Sequence, residues 1–265
     1  SIMRNQKEMI EWDASVAELI ELMSFERIKE LAEEDKLPQA QTLLGAAYWE
    51  GYGTRKNRKK ALKWVRLAAR NGMQEAQTFL FGCYFHGSFL RKDNRLAKKW
   101  LERGCAQEYP LAQYYMGALH VHGIIYKEDY QKGLKYLKQA AKQGRIEAQI
   151  ALGQVYYYGE VTRKNYKEAR YWLRLGALAG DAECQLLLGV IYADGDGFKK
   201  RRKYKMAIKW WTLGAEQGDA QCQMGLSFLY KKGYGVEKDL AKSKKLAKLA
   251  SKEIPNAREL EAEFN

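Results

Sequence analysis

The chain has 265 residues, 46% of them hydrophobic and 12% aromatic, and its 46 Lys and Arg against 32 Asp and Glu give a formal net charge of +14. That composition supplies a core and excludes a disordered chain, which is poor in aromatics. No apolar run approaches the roughly 20 residues that cross a bilayer as a helix. The positive excess invites a nucleic-acid or acidic-surface reading, which position along the chain has to test.

In chain order, the opening stretch SIMRNQKEMIEWD lacks the apolar centre of a signal peptide, although a processed chain would look the same. Residues 7–22 and 24–36 read as two helices. Phe25, Ile28 and Ala32 fall one period before Ala61, Trp64 and Ala68, so residues 1–37 are expected to cap a repeat array. From residue 38 the string LLGAAYWEG recurs as LFGCYFHG, MGALHVHG, LGQVYYYG, LGVIYADG and LSFLYKKG. Its last glycines stand at Gly51, Gly87, Gly123, Gly159, Gly195 and Gly233, at intervals of 36, 36, 36, 36 and 38. A second string, ALKWVRLAARNG and its five relatives, follows each, with Trp64, Trp100, Tyr136, Trp172, Trp210 and Leu246 in one slot. The units run 38–73, 74–109, 110–145, 146–181, 182–219 and 220–254. Pro255, with Leu260 and Phe264, opens a C-terminal capping helix over 255–265. No internal linker is visible, so the chain reads as one continuous domain.

Each unit predicts two helices. Ala40, Leu44 and Tyr48 share one helical face, and Gly51 ends that helix as a C′ glycine does. Ala61, Trp64, Ala68 and Ala69 stripe the second helix. Its start is marked in five units by the N-cap residues Asn57, Asp93, Asp129, Asn165 and Asp239. The fifth unit carries a basic run at that place and is expected to start its second helix differently.

This pattern over residues 38–254 resembles the Sel-1-like repeat family, relatives of the tetratricopeptide repeats. The resemblance implies an all-α, right-handed superhelical solenoid of six two-helix repeats with helical caps. Stacked repeats expose apolar faces at their ends, which is why caps are expected. Departures at Phe81, Ser227, His120, Glu108 and Ile254 touch local packing rather than the fold. Cysteine-rich members of the family pair a first-helix cysteine with a second-helix one. Here Ala76 stands opposite Cys105 and Ala215 opposite Cys184, so that disulfide pattern is absent.

Little in the chain points to chemistry. Cys184 and Cys222 take the slot of Ala40 and Cys105 that of Ala69, small buried positions where cysteine acts as a hydrophobe. Free thiols favour a reducing, cytoplasmic setting; a processed N-terminus would equally suit a periplasmic or secreted protein. His120 takes a core tyrosine slot and is expected to be packed and hydrogen-bonded. His86 and His122 share a slot without the further ligands a zinc site needs. No nucleophile elbow, phosphate loop or HExxH occurs, so neither an enzyme, a metal nor a cofactor is expected.

Two basic runs, Arg55–Lys60 and Lys199–Lys205, are placed in the loops between the helices of a repeat, at the edge of the array. Arg55, Lys56, Arg58, Lys199, Lys200, Arg201, Arg202 and Lys203 read as solvated charge, with nucleic-acid or anionic-surface binding as the alternative. The resemblance further implies a concave groove lined by the first helices. Carried over in register, it holds Trp49, Glu50, Glu75, Phe85, His86, Tyr114, His122, Glu147, Tyr157, Tyr158, Glu183 and Asp194. With Lys231 and Lys232 included, the groove slots total five acids and two bases, net −3. Trp49, Phe85, Tyr114 and Tyr157 are expected to face away from the core as anchors, and Glu75, Glu147 and Glu183 to select basic side chains. The function implied is a non-enzymatic scaffold or adaptor for a peptide or protein of basic or mixed charge. An immunity protein that neutralises a cognate toxin is one specific form of it.

Overall fold

Recurring small and capping residues fix where each helix starts, ends and touches its neighbours. The computed structural model describes residues 11–254, so the expected C-terminal capping helix and the first residues of the N-terminal one lie outside the described residues. The described residues form fourteen helices and no strand. Two precede the repeats, α1 (Ala14–Glu21) and α2 (Phe25–Glu33). Then come α3 (Pro38–Glu50), α4 (Arg58–Arg70), α5 (Gln74–His86), α6 (Asn94–Ala106), α7 (Pro110–His122) and α8 (Tyr130–Lys142). The rest are α9 (Ile146–Tyr158), α10 (Tyr166–Leu178), α11 (Ala182–Asp194), α12 (Tyr204–Glu216), α13 (Ala220–Lys232) and α14 (Leu240–Ala250).

Side chains of Asn57, Asp93, Asp129, Asn165 and Asp239 each accept a backbone N–H of the first turn they precede. Each satisfies one of the donors that a helix start leaves without an intrahelical partner. Lys203 caps α12 with no side-chain bond, the different start anticipated for the fifth unit. The first helices end on glycines in the left-handed region, Gly51 at φ 78° among them, where a Cβ would be strained. Glu108 adopts φ 56° in the slot held by Gly72, Gly144, Gly180 and Gly218, and Lys36 adopts φ 53° in the same slot after α2, so these two turns carry that strain.

Each unit builds its core from both helices of its repeats. Leu44, Leu80 and Met116 line it from the first helices of the first unit, and Leu152, Leu188 and Leu226 from those of the second. Val65, Leu101, Leu137 and Leu173 line it from the second helices, all fully buried. The tryptophan slot beside them packs at its margin, with Trp64 and Tyr136 only partly buried. Close approach needs the first-helix glycine: a Cβ on Gly153 would lie 2.7 Å from the Leu173 side chain. In the fifth repeat Trp211 replaces that leucine, its indole N–H donates to the Leu186 carbonyl at 3.1 Å, and a Cβ on Gly189 would sit 2.0 Å from its Nε1. The two departures from glycine are accommodated locally. Phe81 is fully buried against Phe85 and Tyr115. Ser227 and Ser243 each donate to the other's carbonyl, at 2.8 and 2.7 Å.

A column of buried glutamines, one per repeat, is the polar counterpart of this core. The Gln77 amide donates to the Ala69 carbonyl at 3.1 Å, and its Oε1 accepts from Gln107 at 2.9 Å, while Gln107 also donates to the Gly72 carbonyl. Asn71 with Gln41, Gln143 with Gln113 and Gln217 with Gln185 repeat the amide-to-amide bond at 2.8, 2.7 and 2.8 Å. Each clamp ties the start of a first helix to the end of a second helix, and Ala179 fills the donor slot in the fourth repeat.

By its internal contacts the chain divides into two units between Arg145 and Ile146. The first holds α1 to α8, with α1 and α2 both packed on α3; the second holds α9 to α14. The architecture is an all-α solenoid. Two local readings change. Residues 11–13 precede α1 and are not helical, and Arg58 opens α4 rather than lying in the loop.

Candidate functional site

Within each unit the first helices present side chains to one face, which is more open in the second unit than in the first. In the second unit α11 touches both α9 and α13. Tyr158 and Phe228 are 43% and 46% exposed on this face, and Tyr157, Leu186, Val190 and Met224 are partly exposed. Tyr157 and Tyr158 meet edge to face at 5.0 Å. Burial and then the neighbouring phenols and carboxylates push the Tyr157 hydroxyl up to about 12, so it stays a neutral donor. Glu147 and Asp194 are exposed and Glu183 is partly exposed, which leaves carboxylates around the aromatic patch.

In the first unit the same slots are closed. Trp49 is 4% exposed and Phe85 6%, so neither faces away from the core as the sequence reading held. Trp49 packs edge to face against Phe79 at 4.8 Å and Phe89 at 4.7 Å, and the Arg58 guanidinium lies 3.9 Å over its ring. Arg58 is therefore a stacking residue and not solvated loop charge. Tyr114 is half-buried, Glu50 and His122 are exposed, and His86 is partly buried with its Nε2 unpartnered among the described residues. Burial holds His86 below the ordinary histidine value, with Lys92 adding to the effect.

What covers part of this face is the chain itself. Trp12 stacks on Phe79, centroids 4.1 Å apart and planes 7° from parallel, and is 9% exposed. Next to it, Asp13 occupies the N-cap position of α1 but makes no side-chain cap bond. Its carboxylate instead accepts from the Tyr109 hydroxyl at 2.6 Å and from Arg145 at 2.8 Å. Burial pushes the Asp13 carboxyl up, but those hydrogen bonds and the Arg145 charge outweigh it and hold the group below its usual range. Glu11, Trp12 and Asp13 close a small pocket over Thr78, Leu111 and Glu75, the last of them assigned to the groove from sequence.

Sequence reasoning missed Trp12, Asp13, Phe79, Tyr109 and Arg145. A signal existed: Tyr109 and Arg145 stand in one register slot, just before a first helix, where Asp181 and Asp219 cap their helices. Neither tyrosine nor arginine caps a helix N-terminus well, so those side chains were available for another acceptor.

At the edges, Arg55, Lys56 and Lys199 through Lys203 are exposed. Several have local partners: Lys200 pairs with Asp196, Arg202 donates to Tyr204 at 3.0 Å, and Lys203 lies over Phe198 at 4.1 Å. Cys83, Cys184 and Cys222 are buried free thiols, and Cys105 is half-buried. His120 is buried, with its ring Nδ1 3.4 Å from the Lys127 carbonyl. Among the described residues no group of three His, Cys, Asp or Glu is placed to hold a metal, and no helix is long and apolar enough to cross a membrane.

The Sel1 repeat family profile matches residues 38–73, 74–109, 110–144, 146–181, 182–219 and 219–253. No curated protein matches the chain. Among solved structures, a protective antigen of uropathogenic Escherichia coli strains displaying an SLR fold superposes with a TM-score of 0.80 at 27% identity over 91% of this chain. This chain spans 51% of that protein's length. A Sel1 repeat protein from Oxalobacter formigenes gives a TM-score of 0.70 at 31% identity, covering 89% of this chain and 95% of its own.

Proposed function

We propose that this chain, which belongs to the Sel1 repeat family, is a non-enzymatic scaffold that captures a protein or peptide on the first-helix face of its second unit. Sel1 repeat proteins mediate protein–protein interaction as a family and are in general not catalysts. The observation that carries the reading is the pair of exposed aromatics Tyr158 and Phe228, with the partly exposed Leu186 and Val190, on the helices that would line the groove. A solvent-facing patch of that kind marks an interaction surface, and interfaces concentrate their energy in a few aromatic anchors. Glu147, Glu183 and Asp194 beside it favour a partner with basic side chains. A toxin domain held by its own immunity protein would be one such partner. The four free thiols suit a reducing compartment.

The test is capture of partners by the intact chain beside two variants, Tyr158→Ala with Phe228→Ala, and Lys199–Lys203 neutralised to Gln. The aromatic variant should keep its helical signal and lose the partner, while the loop variant should keep both. Retained capture by the folded aromatic variant would move the site elsewhere. Tight, steeply salt-dependent binding of RNA or DNA that the loop variant loses would replace this reading with the nucleic-acid one.

A further inference from the structure

Three features of residues 11–13 look like a ligand seated in a site rather than a linker. The indole of Trp12 lies flat on Phe79, and the adjoining Asp13 carboxylate takes two charged or polar donors contributed by successive repeats. An aspartate preceding a helix ordinarily gives its oxygen to the N–H groups of that helix's first turn; this one makes no such cap bond and is held chiefly by Tyr109 and Arg145. The fit is also incomplete. Trp12 Nε1 and Glu75 Oε2 are both buried without a hydrogen-bond partner among the described residues, and Glu11 lines the same pocket as Glu75, so the chain brings an acid to a pocket that already holds one.

We infer that the first unit carries a peptide-binding site for an aromatic residue followed directly by a carboxylate, and that the chain's own Trp12-Asp13 fills it in cis as a weakened copy of the true ligand. The partner's segment carries a basic residue before the aromatic one, because that charge would meet Glu75 where the chain offers Glu11. Phe79 and Leu111 hold the ring, while Tyr109 and Arg145 read the acid. This deepens the scaffold reading by naming what the first unit takes, and it rests on that reading for the claim that a partner protein exists.

A tethered segment competes at a local concentration on the order of 1 mM. Where the tethered segment's own intrinsic Kd is about 0.1 mM, that competition weakens the apparent binding of a free peptide about tenfold. The experiment uses the full chain and a fluorescent peptide copying Glu11–Ala17, read by anisotropy with circular dichroism as the fold control. Trp12→Ala with Asp13→Ala should bind the peptide about tenfold tighter than the intact chain. Adding Arg145→Ala, or replacing the peptide's aspartate by asparagine, should reverse that gain. A peptide with lysine in place of its first glutamate should bind several-fold tighter still. A folded, emptied variant that ignores the peptide would overturn the proposal, as would a lysine peptide weaker than the glutamate one. If both the double variant and the milder Asp13→Asn lose the fold, residues 12 and 13 are a structural clasp and the proposal falls. A dimer of the intact chain that dissociates in the emptied variant would assign the site to a second copy and overturn occupancy in cis. Partner capture through Tyr158 and Phe228 is scored separately, so failure here leaves the scaffold reading standing.

Discussion

Trp49→Ala separates core aromatics from available ones. The ring is 4% exposed and contacts Phe79 and Phe89 edge to face at 4.8 and 4.7 Å, with Arg58 stacked at 3.9 Å. Truncating a buried tryptophan costs about 3–5 kcal/mol. The upper half of that range applies here, since two ring pairs and a guanidinium lose their partner together. Arg58 Nη1 is buried with no hydrogen-bond partner among the described residues, so its placement depends on the ring face. A double-mutant cycle with Arg58→Ala should show a coupling of about 0.5–2 kcal/mol, the range for exposed to desolvated cation–π contacts. Urea unfolding followed by circular dichroism and by exchange of backbone amides measures both, the second because repeat arrays lose cooperativity and one midpoint does not describe them. The damage should be concentrated in α3 to α5. Phe228→Ala, at 46% exposure, should change stability by less than about 1 kcal/mol. A Trp49→Ala chain within 1 kcal/mol of the parent would refute the argument and return this ring to the list of partner anchors.

Other consequences follow from particular contacts. Gly189→Ala drives a methyl into Trp211 Nε1, 2.0 Å away, and should cost about 2–4 kcal/mol in a urea melt from overpacking and the indole bond to Leu186. Trp211→Leu should relieve part of that loss, because leucine faces glycine in the third and fourth repeats; strictly additive losses would refute the clash. Gln77→Ala removes two amide bonds between helix ends and should cost about 1–3 kcal/mol, where an unchanged melt would make the clamp incidental. The Asp13 carboxyl sits below its ordinary value, so its contribution is fully present above about pH 4 and is lost as pH falls through the folded-state value. The stability gap between the parent and Asp13→Asn should therefore close in acid, and a gap that persists at pH 2 would show that the carboxylate's charge is not what Tyr109 and Arg145 hold. Burial pushes Cys83 up to about 12 and raises Cys184 and Cys222 as well, so thiol reagent at pH 7.5 should label these three only on unfolding. Rapid labelling of any of them in the folded chain would mean that its helix opens locally.

Periodicity made the solenoid legible. Six strings in phase fix helix pairs, and the capping column Asn57, Asp93, Asp129, Asn165 and Asp239 fixes where second helices begin, because a cap needs only its own neighbours three residues on. The same local logic identified the fifth repeat as an exception. Even the serine pair of the sixth repeat stands in register columns, and the amide clamps lie thirty residues apart, or thirty-two in the fifth repeat, in a readable column.

Tertiary structure decided which residues on the first-helix face are available. Register places Trp49, Phe85, Tyr157 and Phe228 on that face alike, yet the first two are buried and the last is nearly half exposed. Single side chains outside the repeat pattern cover the first-unit residues: Phe89 and Arg58 lie over Trp49, Phe81 packs on Phe85, and Trp12 stacks on Phe79. Asp13 meets Tyr109 and Arg145 across 96 and 132 residues, with no period relating the acid to its donors. Local sequence dictates hydrogen bonds within a turn and apolar spacing along a helix. Which segment lies on a completed surface depends on contacts that exist only once the repeats have stacked, and here residues 11–13 made part of that choice.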